Sequence, residues 1–579
     1  MAHKTVSVGN YLLYRLKEVG VETLFGVPGD YNMPFLDLIE DYEGMDWGNN
    51  CNELNAACAA DGYARMRGVG AVVTTFGVGE LNAVNGIAGS YSEMVPVVHI
   101  AGSPNTASQA RGALLHHTLG NGDFRVFRRM FSEITIANTS LTKSNAVEEV
   151  DRILRSCVLG VRPVYIDLPI DVVNEELNLP EWPPKPLDLT PPPNPPRTQQ
   201  ACLKAILSEI RQAKRPILLV DACAVRHNLE KQVQQLMDVS GFPTYVAPMG
   251  KGAVSEDHPQ FRGCYAGNVS HPQVQEEVHN SDLVLSIGSL NSDFNTGGFT
   301  YHIDQEKVID LHSFATIIYH ANYEKGAGPL TLSSTGMREL LPLLIENWPK
   351  DIAKPQIPPR ILPESADTKT DAITQSYFWP TMTRYMDRNA VIVAETGTAE
   401  FGIINMKAPE DATFVTQVLW GSIGYSVGAA MGAQQAARLE DRRVFLFVGD
   451  GSFQVSAQEV STMLRKGQTP VIILINNDGY TIEKLIHGAK RKYNNVQMWE
   501  YSKTLEYFGA YREENKRNKT GEKQSQVGIQ GTFRTRAELE KAMEQVKREK
   551  DKIHFLEVMM DEFDAPQELK KTVEQSENR

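Results

Sequence analysis

The chain has 579 residues, with 58 Lys and Arg against 71 Asp and Glu, so its formal net charge is −13. This acidic balance argues against a general nucleic-acid binder, which needs a basic face to displace counterions. The hydrophobic share of 42% is that of a globular protein rather than a disordered chain. The length predicts about three or four domains.

Cysteine spacing and the N-terminal segment restrict the compartment. None of the six cysteines forms a CxxC pair, so we expect reduced thiols rather than a disulfide framework. The N-terminal segment lacks the apolar core of a signal peptide, and no run approaches the ~18 apolar residues of a membrane span. We therefore expect a soluble cytoplasmic protein with no membrane or nucleic-acid partner.

Two proline-rich segments predict the domain boundaries. Residues 180–196 contain nine prolines and residues 349–363 contain five. Because proline lacks an N–H group and fixes φ, neither segment can be interior helix or central strand, and both should form extended connectors. The predicted domains are therefore 1–179, 197–348 and 364–579.

Each domain contains short runs that are apolar on both faces. Such runs are typical of parallel strands covered by helices on both sides. We therefore predict three α/β domains with doubly wound parallel sheets, whose ligands bind at the carboxyl ends of the strands. The predicted strands are Ala71–Phe76, Val95–Ala101, Val164–Leu168, Pro216–Val220, Leu283–Gly288, Lys307–Leu311, Ala390–Ala394, Val444–Val448, Val471–Ile475 and His554–Met559.

Two segments of the third domain are predicted to lie at its periphery. Residues 511–526 are almost wholly polar, which is typical of a solvated loop. The stretch after Pro566 is charged and amphipathic at best, which predicts a surface helix or a frayed tail.

A pair of turns in the third domain has the residues of a metal and diphosphate site. GDG at 449–451 ends one predicted strand and NNDG at 476–479 ends the next. Both turns should lie at the same edge of the sheet, where Asp450, Asn477 and the carbonyl of Gly479 offer the oxygen ligands that Mg²⁺ prefers. The alternative is a pair of ordinary turns, in which Gly, Asp and Asn are common.

The spacing of GDG and NN resembles the diphosphate motif of thiamine-diphosphate enzymes. The longer string NNDGYTIEKLIHG at 476–488 resembles pyruvate decarboxylases of the fungal type and their 2-keto acid decarboxylase relatives. The resemblance extends over essentially the whole chain, through GVPGDYN at 26–32, NELNAA at 52–57, HHTLGNGDF at 116–124, DAC at 221–223, SDFNTG at 292–297, AETGT at 394–398 and VLWGSIG at 418–424.

This resemblance implies thiamine diphosphate and Mg²⁺ as cofactors, and pyrimidine-binding, middle and diphosphate-binding domains. The implied reaction is non-oxidative decarboxylation of a 2-keto acid, through a cofactor ylid and an enamine. Glu53 is implied to drive the imino form of the pyrimidine, and Ile423 to bend the cofactor. The implied cofactor-binding residues are Glu53, Thr396, Thr398, Gly421, Ser422, Ile423, Asp450, Gly451, Ser452, Asn477, Gly479, Tyr480, Thr481 and Ile482.

Four further residues complete the implied catalytic set with Glu53. Asp30, His116, His117 and Glu483 match family positions, and the product carbon needs a proton from such groups. From the residues alone, Asp30 could also be a turn residue and Glu483 a first-turn acid of a helix. Because these groups lie on different domains, the resemblance implies a site shared between two subunits. It thus implies at least a homodimer, and commonly a homotetramer.

Substrate choice is implied by four pocket positions, Phe294, Thr396, Ile482 and Ile486. Their bulk leaves more room for a methyl group than for an aromatic ring, which favours pyruvate, converted to acetaldehyde and CO₂. The alternatives are a decarboxylase of phenylpyruvate, indolepyruvate or branched-chain 2-keto acids and, less closely, an acetolactate-synthase-type carboligase. Such carboligases often bind a flavin in the middle domain, and residues 197–348 contain no GxGxxG-type fingerprint.

The resemblance also implies residues that regulate the enzyme. Cys223 and Arg226 match residues that are tied to substrate activation in fungal relatives. Those relatives often carry a histidine where this chain has Met94, so we expect that cooperativity does not operate here as it does there. From the sequence alone, Cys223 could equally be a buried thiol.

Overall fold

The structure is a computed structural model that describes residues 4–319, 330–359, 361, 370–515 and 523–576. The elements of its first domain are β1 (Lys4–Ser7), α1 (Val8–Glu18), β2 (Thr23–Gly26), α2 (Met33–Asp41), β3 (Asp46–Trp47), α3 (Glu53–Arg67), β4 (Gly70–Thr75), α4 (Val78–Ser92), β5 (Val97–Ser103), α5 (Thr106–Ala110), α6 (Val126–Ser132), β6 (Asn138–Ser140), α7 (Ala146–Gly160), β7 (Val164–Pro169) and β8 (Glu176–Leu179). Six strands form a parallel sheet in the order β3-β2-β4-β5-β7-β6, and β1 pairs antiparallel with β8. Strands β4, β5 and β7 are buried throughout, because helices cover both faces of the sheet.

The middle domain holds a seven-stranded sheet. Its elements are α8 (Pro196–Gln212), β9 (Pro216–Val220), α9 (Ala222–Arg226), α10 (Glu230–Ser240), β10 (Thr244–Val246), β11 (Phe261–Cys264), α11 (Pro272–His279), β12 (Leu283–Ile287), β13 (Val308–Leu311), β14 (Ala315–Ile318), β15 (Leu330–Ser333) and α12 (Met337–Glu346). The strand order is β11-β10-β9-β12-β13-β14-β15. The first five strands are parallel, whereas β14 and β15 are antiparallel to their neighbours.

The third domain is a six-stranded parallel sheet in which two neighbouring strands deliver the GDG and NNDG turns. Its elements are α13 (Gln375–Met382), β16 (Val391–Ala394), α14 (Thr398–Asn405), β17 (Thr413–Val415), α15 (Tyr425–Ala437), β18 (Val444–Gly449), α16 (Asp450–Ser456), α17 (Glu459–Arg465), β19 (Val471–Asn476), α18 (Thr481–Ile486), α19 (Thr504–Tyr507), β20 (Gln526–Phe533), α20 (Arg536–Arg548), β21 (Lys552–Met559) and α21 (Gln567–Ser576). The order is β17-β16-β18-β19-β21-β20. Gly449 on β18 pairs with Ile475 on β19, so the residues that follow the two strands lie side by side.

Short 3₁₀ helices occur in the connections between these elements. They span Pro248–Gly250, Gly267–Val269, Gln305–Lys307, Thr383–Tyr385, Arg438–Glu440, Lys492–Asn494, Tyr501–Lys503 and Glu513–Asn515. Among the described helices, none combines the length and the apolar character needed to cross a membrane.

The predicted three-domain α/β fold is confirmed. Each of the ten predicted strands is present, with its ends displaced by at most two residues; for example, the run predicted at 95–101 is the strand Val97–Ser103. The middle sheet differs from a purely parallel one at the edge formed by β14 and β15. These strands are only four residues long and adjoin residues 320–329, which lie outside the described residues.

The first proline-rich segment contains no helix or strand until α8 begins at its last residue, Pro196. The described part of the second segment contains none either, and residues 360 and 362–363 lie outside the described residues. In the polar loop, residues 511–515 are exposed, residues 516–522 lie outside that part, and β20 already begins at Gln526. The segment after Pro566 is the predicted surface helix rather than a frayed tail, as far as Ser576. It forms α21, whose Leu569 and Val573 are buried, because its apolar residues share one helix face.

Helices α3 and α15 join the first and third domains through small residues. A Cβ atom at Gly62 of α3 would overlap the backbone of Ala429, and one at Gly432 of α15 would overlap the backbone of Ala59. The two helix backbones therefore touch, and the alanines around them are fully buried in one core shared by both domains. This contact fixes the N-terminal end of α3, where Glu53 lies, relative to the third domain.

Candidate active site

Three predicted catalytic groups meet at the carboxyl edge of the first sheet. Asp30 follows β2, and its Oδ2 atom lies 2.6 Å from Nε2 of His116, while Oδ1 lies 4.0 Å from Nε2 of His117. The Tyr31 ring stacks on His116 with the ring centroids 5.0 Å apart. Asp30 and His116 have side chains that are 50% and 58% exposed. The arrangement can hold and pass a proton at a position that solvent reaches.

Glu53 lies in the first turn of α3, with Oε2 accepting a hydrogen bond of 2.7 Å from the Asn82 side chain. The chain around it is held by the third domain. The buried carboxylate of Glu459 on α17 accepts hydrogen bonds from the side chains of Asn50 and Asn55, at 2.8 and 3.0 Å. A group of the third domain therefore positions the segment that presents Glu53.

The predicted metal ligands converge at the edge formed by β18 and β19. Oδ1 of Asp450 accepts a hydrogen bond from the backbone of Gly451 and Oδ2 accepts one from Gly479, each at 2.8 Å. Burial raises the pKa of Asp450 to about 6. No Lys or Arg of the described residues lies within ion-pair distance of it. The Asn477 amide is buried as well and forms no side-chain hydrogen bond within that part of the chain.

These residues fit a hard divalent cation and a diphosphate. A buried carboxylate without a cationic partner, an unpaired buried amide and a backbone carbonyl are the oxygen donors that Mg²⁺ prefers. Gly479 has φ 105°, and a Cβ atom there would lie 2.6 Å from the carbonyl oxygen of Asn494. The Tyr480 ring covers Gly451, where a Cβ atom would meet it at 2.6 Å. Ser452 and Thr481 are buried beside them.

A loop between β17 and α15 brings Gly421 next to Thr396. Gly421 has φ 60°, and a Cβ atom there would lie 3.6 Å from Cγ2 of Thr396. Glu395, at the end of β16, accepts hydrogen bonds from the backbone N–H groups of Gly424 and Ser426, at 3.2 and 3.1 Å. Burial raises the pKa of Glu395 to about 7. One buried carboxyl group thus shapes the loop that presents Gly421.

The other predicted residues of this loop and of α14 lie close by. Ser422 Oγ accepts a hydrogen bond of 2.8 Å from Asn85 on α4 of the first domain. Ile423 is half-buried in the same loop, and Thr398 begins α14 with only 8% of its surface exposed. The structure therefore brings the loop residues and the start of α14 together.

Two of the predicted substrate-pocket residues share an apolar cluster. The Phe294 ring packs edge to face on Phe401, with centroids 5.8 Å apart, and Ile482 packs against the same cluster. A Cβ atom at Gly397 would lie 3.9 Å from Cγ2 of Ile482, which places Ile482 beside Thr396. Helix α21 covers this cluster. The apolar cluster that holds Phe294 and Ile482 is therefore covered by the predicted surface helix.

The remaining predicted residues stay apart from these contacts. Ile486 is 39% exposed and Glu483 is exposed on α18. Among the described residues, no hydrogen bond or ion pair joins the first-domain groups (Asp30, Glu53, His116 and His117) to the third-domain groups (Asp450, Asn477 and Glu483). Within the described part of one chain, these two sets of groups therefore make no direct polar contact with each other.

Comparison with known proteins identifies the family. The N-terminal, central and C-terminal domain models of thiamine pyrophosphate enzymes match residues 6–123, 203–322 and 395–558. The chain is 46% identical to pyruvate decarboxylase of Aspergillus fumigatus over 520 residues, 88% of each chain. It is 42% identical to pyruvate decarboxylase isozyme 2 of Saccharomyces cerevisiae over 570 residues, 98% of this chain and 97% of the relative. The chain belongs to the fungal-type pyruvate decarboxylase family.

A solved structure agrees with this fold. The thiamine diphosphate-dependent 4-hydroxybenzoylformate decarboxylase of Rhodococcus jostii RHA1 superposes with a TM-score of 0.73 and 18% identity, covering 96% of this chain and 99% of its own. At that identity the likeness shows the fold alone. The comparisons identify the family of the chain, and the roles of its individual site residues are predictions.

In this member of the pyruvate decarboxylase family, the two predicted regulatory residues lie at the junction of the first and middle domains. The Cys223 thiol donates to the sulfur of Met94 at 3.5 Å and lies 3.8 Å from Nε2 of His312. Burial raises the pKa of Cys223 to about 12. Arg226 donates to the backbone carbonyl of Glu93 at 3.1 Å, and burial lowers its pKa to about 10.

Sequence reasoning missed a set of buried carboxyl groups that organise this pyruvate decarboxylase-family site. Glu93 accepts hydrogen bonds from the backbone N–H groups of residues 419 and 420, at 2.7 and 3.0 Å. Glu395 and Glu459 hold the segments described above, and Glu400 faces a cavity. Glu395 could have been found, because it ends a predicted strand. The others resemble ordinary helix acids in the sequence.

Proposed function

We propose that this protein decarboxylates a 2-keto acid without oxidation, converting pyruvate to acetaldehyde and CO₂, with thiamine diphosphate and Mg²⁺. The observation that supports this most directly is the buried oxygen-donor set of Asp450, Asn477 and Gly479, together with the apolar cluster against which Phe294 and Ile482 pack. The membership of the chain in the pyruvate decarboxylase family supports the same reaction.

The proposed roles follow from where each group lies. Asp450, Asn477 and the Gly479 carbonyl would hold Mg²⁺ and through it the diphosphate, while Gly421 and Ile423 would hold and bend the cofactor. Bound thiamine diphosphate supplies the carbanion that adds to the keto carbon and accepts the electron pair left by CO₂.

The first-domain groups have the proposed proton-transfer roles. Glu53 would share a proton with the ring nitrogen of the cofactor, which needs a carboxyl group beside it. Asp30 and His116 are hydrogen-bonded, and His117 lies beside them, so the three can pass a proton to the product carbon. Glu483 is proposed as a further acid–base group, brought into the site with α18.

A coupled assay tests the reaction. Purified protein is supplied with pyruvate, and acetaldehyde is measured with thiamine diphosphate and Mg²⁺ both present, or with either withheld after chelation. We expect acetaldehyde only when both are present. Turnover that survives removal of both cofactors would contradict the proposal, and so would acetolactate as the main product.

We further propose that each site is shared by two copies of the chain, in a cytoplasmic homodimer or a dimer of dimers. The exposure of the Asp30 and His116 side chains, and the lack of polar contacts between the first-domain and third-domain groups among the described residues, support this arrangement. Co-expression of a Glu53→Gln chain with an Asp450→Asn chain tests it. Each hybrid dimer then contains one intact site, so activity should return to about a quarter of the wild-type value. No recovery in proven hybrid dimers would place each site within one chain.

The proposed preference is for pyruvate over larger 2-keto acids, as in alcoholic fermentation. Phe294 packs edge to face on Phe401, and Ile482 packs against the same apolar cluster, so bulky side chains fill this wall. We expect kcat/KM to fall from pyruvate to a branched-chain 2-keto acid and to phenylpyruvate. A higher kcat/KM for phenylpyruvate would reverse the assignment of the substrate.

A further inference from the structure

A buried glutamate that the sequence reasoning missed faces the wall of the proposed substrate pocket. Glu400 lies in the first turn of α14, with only 6% of its surface exposed. It lines a cavity together with Phe294, Phe401 and Thr416, between the middle and third domains. The cavity volume of ≈ 10 Å³ is about that needed by one water molecule. Because Phe294 is a proposed pocket residue, Glu400 adjoins the space for the substrate side chain.

The Glu400 carboxyl group has no hydrogen-bond partner of normal geometry within the described residues. The Thr396 hydroxyl is nearby but is itself buried without such a partner. Lys251 lines the same cavity, yet its ammonium group lies 2.6 Å from Oε1 of Glu256. Burial, with the nearby charge of Glu93, holds the pKa of Glu400 well above its usual value. Burial thus favours the protonated carboxyl group, which can both donate and accept a hydrogen bond.

We propose that Glu400 determines specificity by giving the pocket a hydrogen-bonding subsite for a hydroxyl group on the side chain of a 2-keto acid. This inference rests on the proposed decarboxylase function. The buried carboxyl group gains a partner only when the substrate supplies one, whereas an apolar side chain of equal size leaves it unpaired. Hydroxypyruvate and 2-oxobutanoate form the matched pair, since they carry a hydroxyl and a methyl group on the same carbon.

The test is the ratio of kcat/KM for hydroxypyruvate to kcat/KM for 2-oxobutanoate. We expect Glu400→Met, which is apolar and similar in size, to lower this ratio about tenfold relative to the wild type. Glu400→Gln retains hydrogen-bonding groups and should keep the ratio within about threefold. Glu277→Gln alters a partly buried ion pair with Arg262 elsewhere in the middle domain and should leave the ratio unchanged.

Thermal unfolding supplies a second readout. Because Glu400→Met removes an unpaired buried polar group, its Tm should equal or exceed that of the wild type. A Tm several degrees lower, or failure of this variant to fold, would show that Glu400 has a stabilising partner and would overturn the inference. An unchanged substrate ratio alongside normal pyruvate turnover would overturn the inference alone. Absence of pyruvate turnover in the wild type would overturn the proposed function and the inference together.

Discussion

The two halves of the proposed site differ in how far a single chain completes them. In the third domain, Asp450 and Asn477 are buried, and backbone N–H groups hold both oxygens of the carboxylate. In the first domain, Asp30 and His116 are about half exposed, and Glu53 has one hydrogen bond, to Asn82. The metal and diphosphate half is therefore built by the fold of one domain. The proposed acid–base half is open to solvent in one chain, as the proposed sharing of the site with a second copy predicts.

The largest effect is expected at the open half. Replacing Glu53 with Gln removes the ionisable carboxyl group while keeping the side-chain volume and an acceptor for Asn82. We expect kcat to fall about 1,000-fold, within the usual range for losing a positioned acid–base group. The measurement is acetaldehyde formation at saturating cofactor and pyruvate. Glu22→Gln, at a partly exposed ion pair with Arg67 in the same domain, is the control and should keep nearly full activity.

The buried half should respond through cofactor binding. Asp450→Asn removes the anionic ligand, so we expect the affinity for Mg²⁺ to fall at least about 100-fold, measured by titrating chelated protein. If the variant binds Mg²⁺ as tightly as the wild type, Asp450 is not a ligand.

The pH dependence of the same residue sharpens this comparison. The folded pKa of Asp450, about 6, exceeds its ordinary value of 3.8, so folding without metal favours the protonated carboxyl group. The free energy of unfolding of metal-free wild type should therefore rise, relative to that of Asp450→Asn, as the pH falls from about 7 to 4. Mg²⁺ affinity should change in the opposite direction and weaken below pH 6, because binding requires the carboxylate. Metal-free stability that is independent of pH in this window would contradict the buried ionisable state.

The sequence predicts the metal-ligand turns of the third domain better than it predicts the buried contacts that hold the two parts of the site in place. The turns at Asp450 and Asn477 each follow an apolar strand. Because the carboxyl ends of parallel strands lie at one edge of a sheet, the strand assignment alone predicts that these turns are close together. The pairing of Asp30 with His116 bridges 86 residues, and neither spacing nor periodicity predicts it; the resemblance alone suggested it. For α21 the sequence predicts either a surface helix or a frayed tail, because charged residues dominate its composition; the burial of Leu569 and Val573 decides for the helix and for where it packs.

A smaller effect is expected where one half positions the other. Glu459 of the third domain holds Asn50 and Asn55 around Glu53, so Glu459→Gln loses an acceptor for these amide donors. We expect kcat to fall about tenfold with little change in KM for pyruvate or in Mg²⁺ affinity, because only the Glu53 side is displaced. Glu277→Gln, in the middle domain, is the control for loss of a partly buried carboxylate that forms an ion pair with Arg262. If Glu459→Gln and Glu277→Gln lose kcat equally and lose Tm equally, Glu459 contributes only to stability and does not position Glu53.

The smallest effect is expected at the junction that joins the first domain to the middle one. The Cys223 thiol is buried against Met94, and with its pKa raised to about 12 it stays protonated at working pH. Met94 has no proton to exchange, so this contact cannot pass a charge towards the loop that Glu93 holds. We expect wild type and Cys223→Ser to give rate–pyruvate curves of the same shape, with kcat within about twofold. A sigmoidal wild-type curve that Cys223→Ser converts to a hyperbolic one would show that the thiol transmits substrate binding despite Met94.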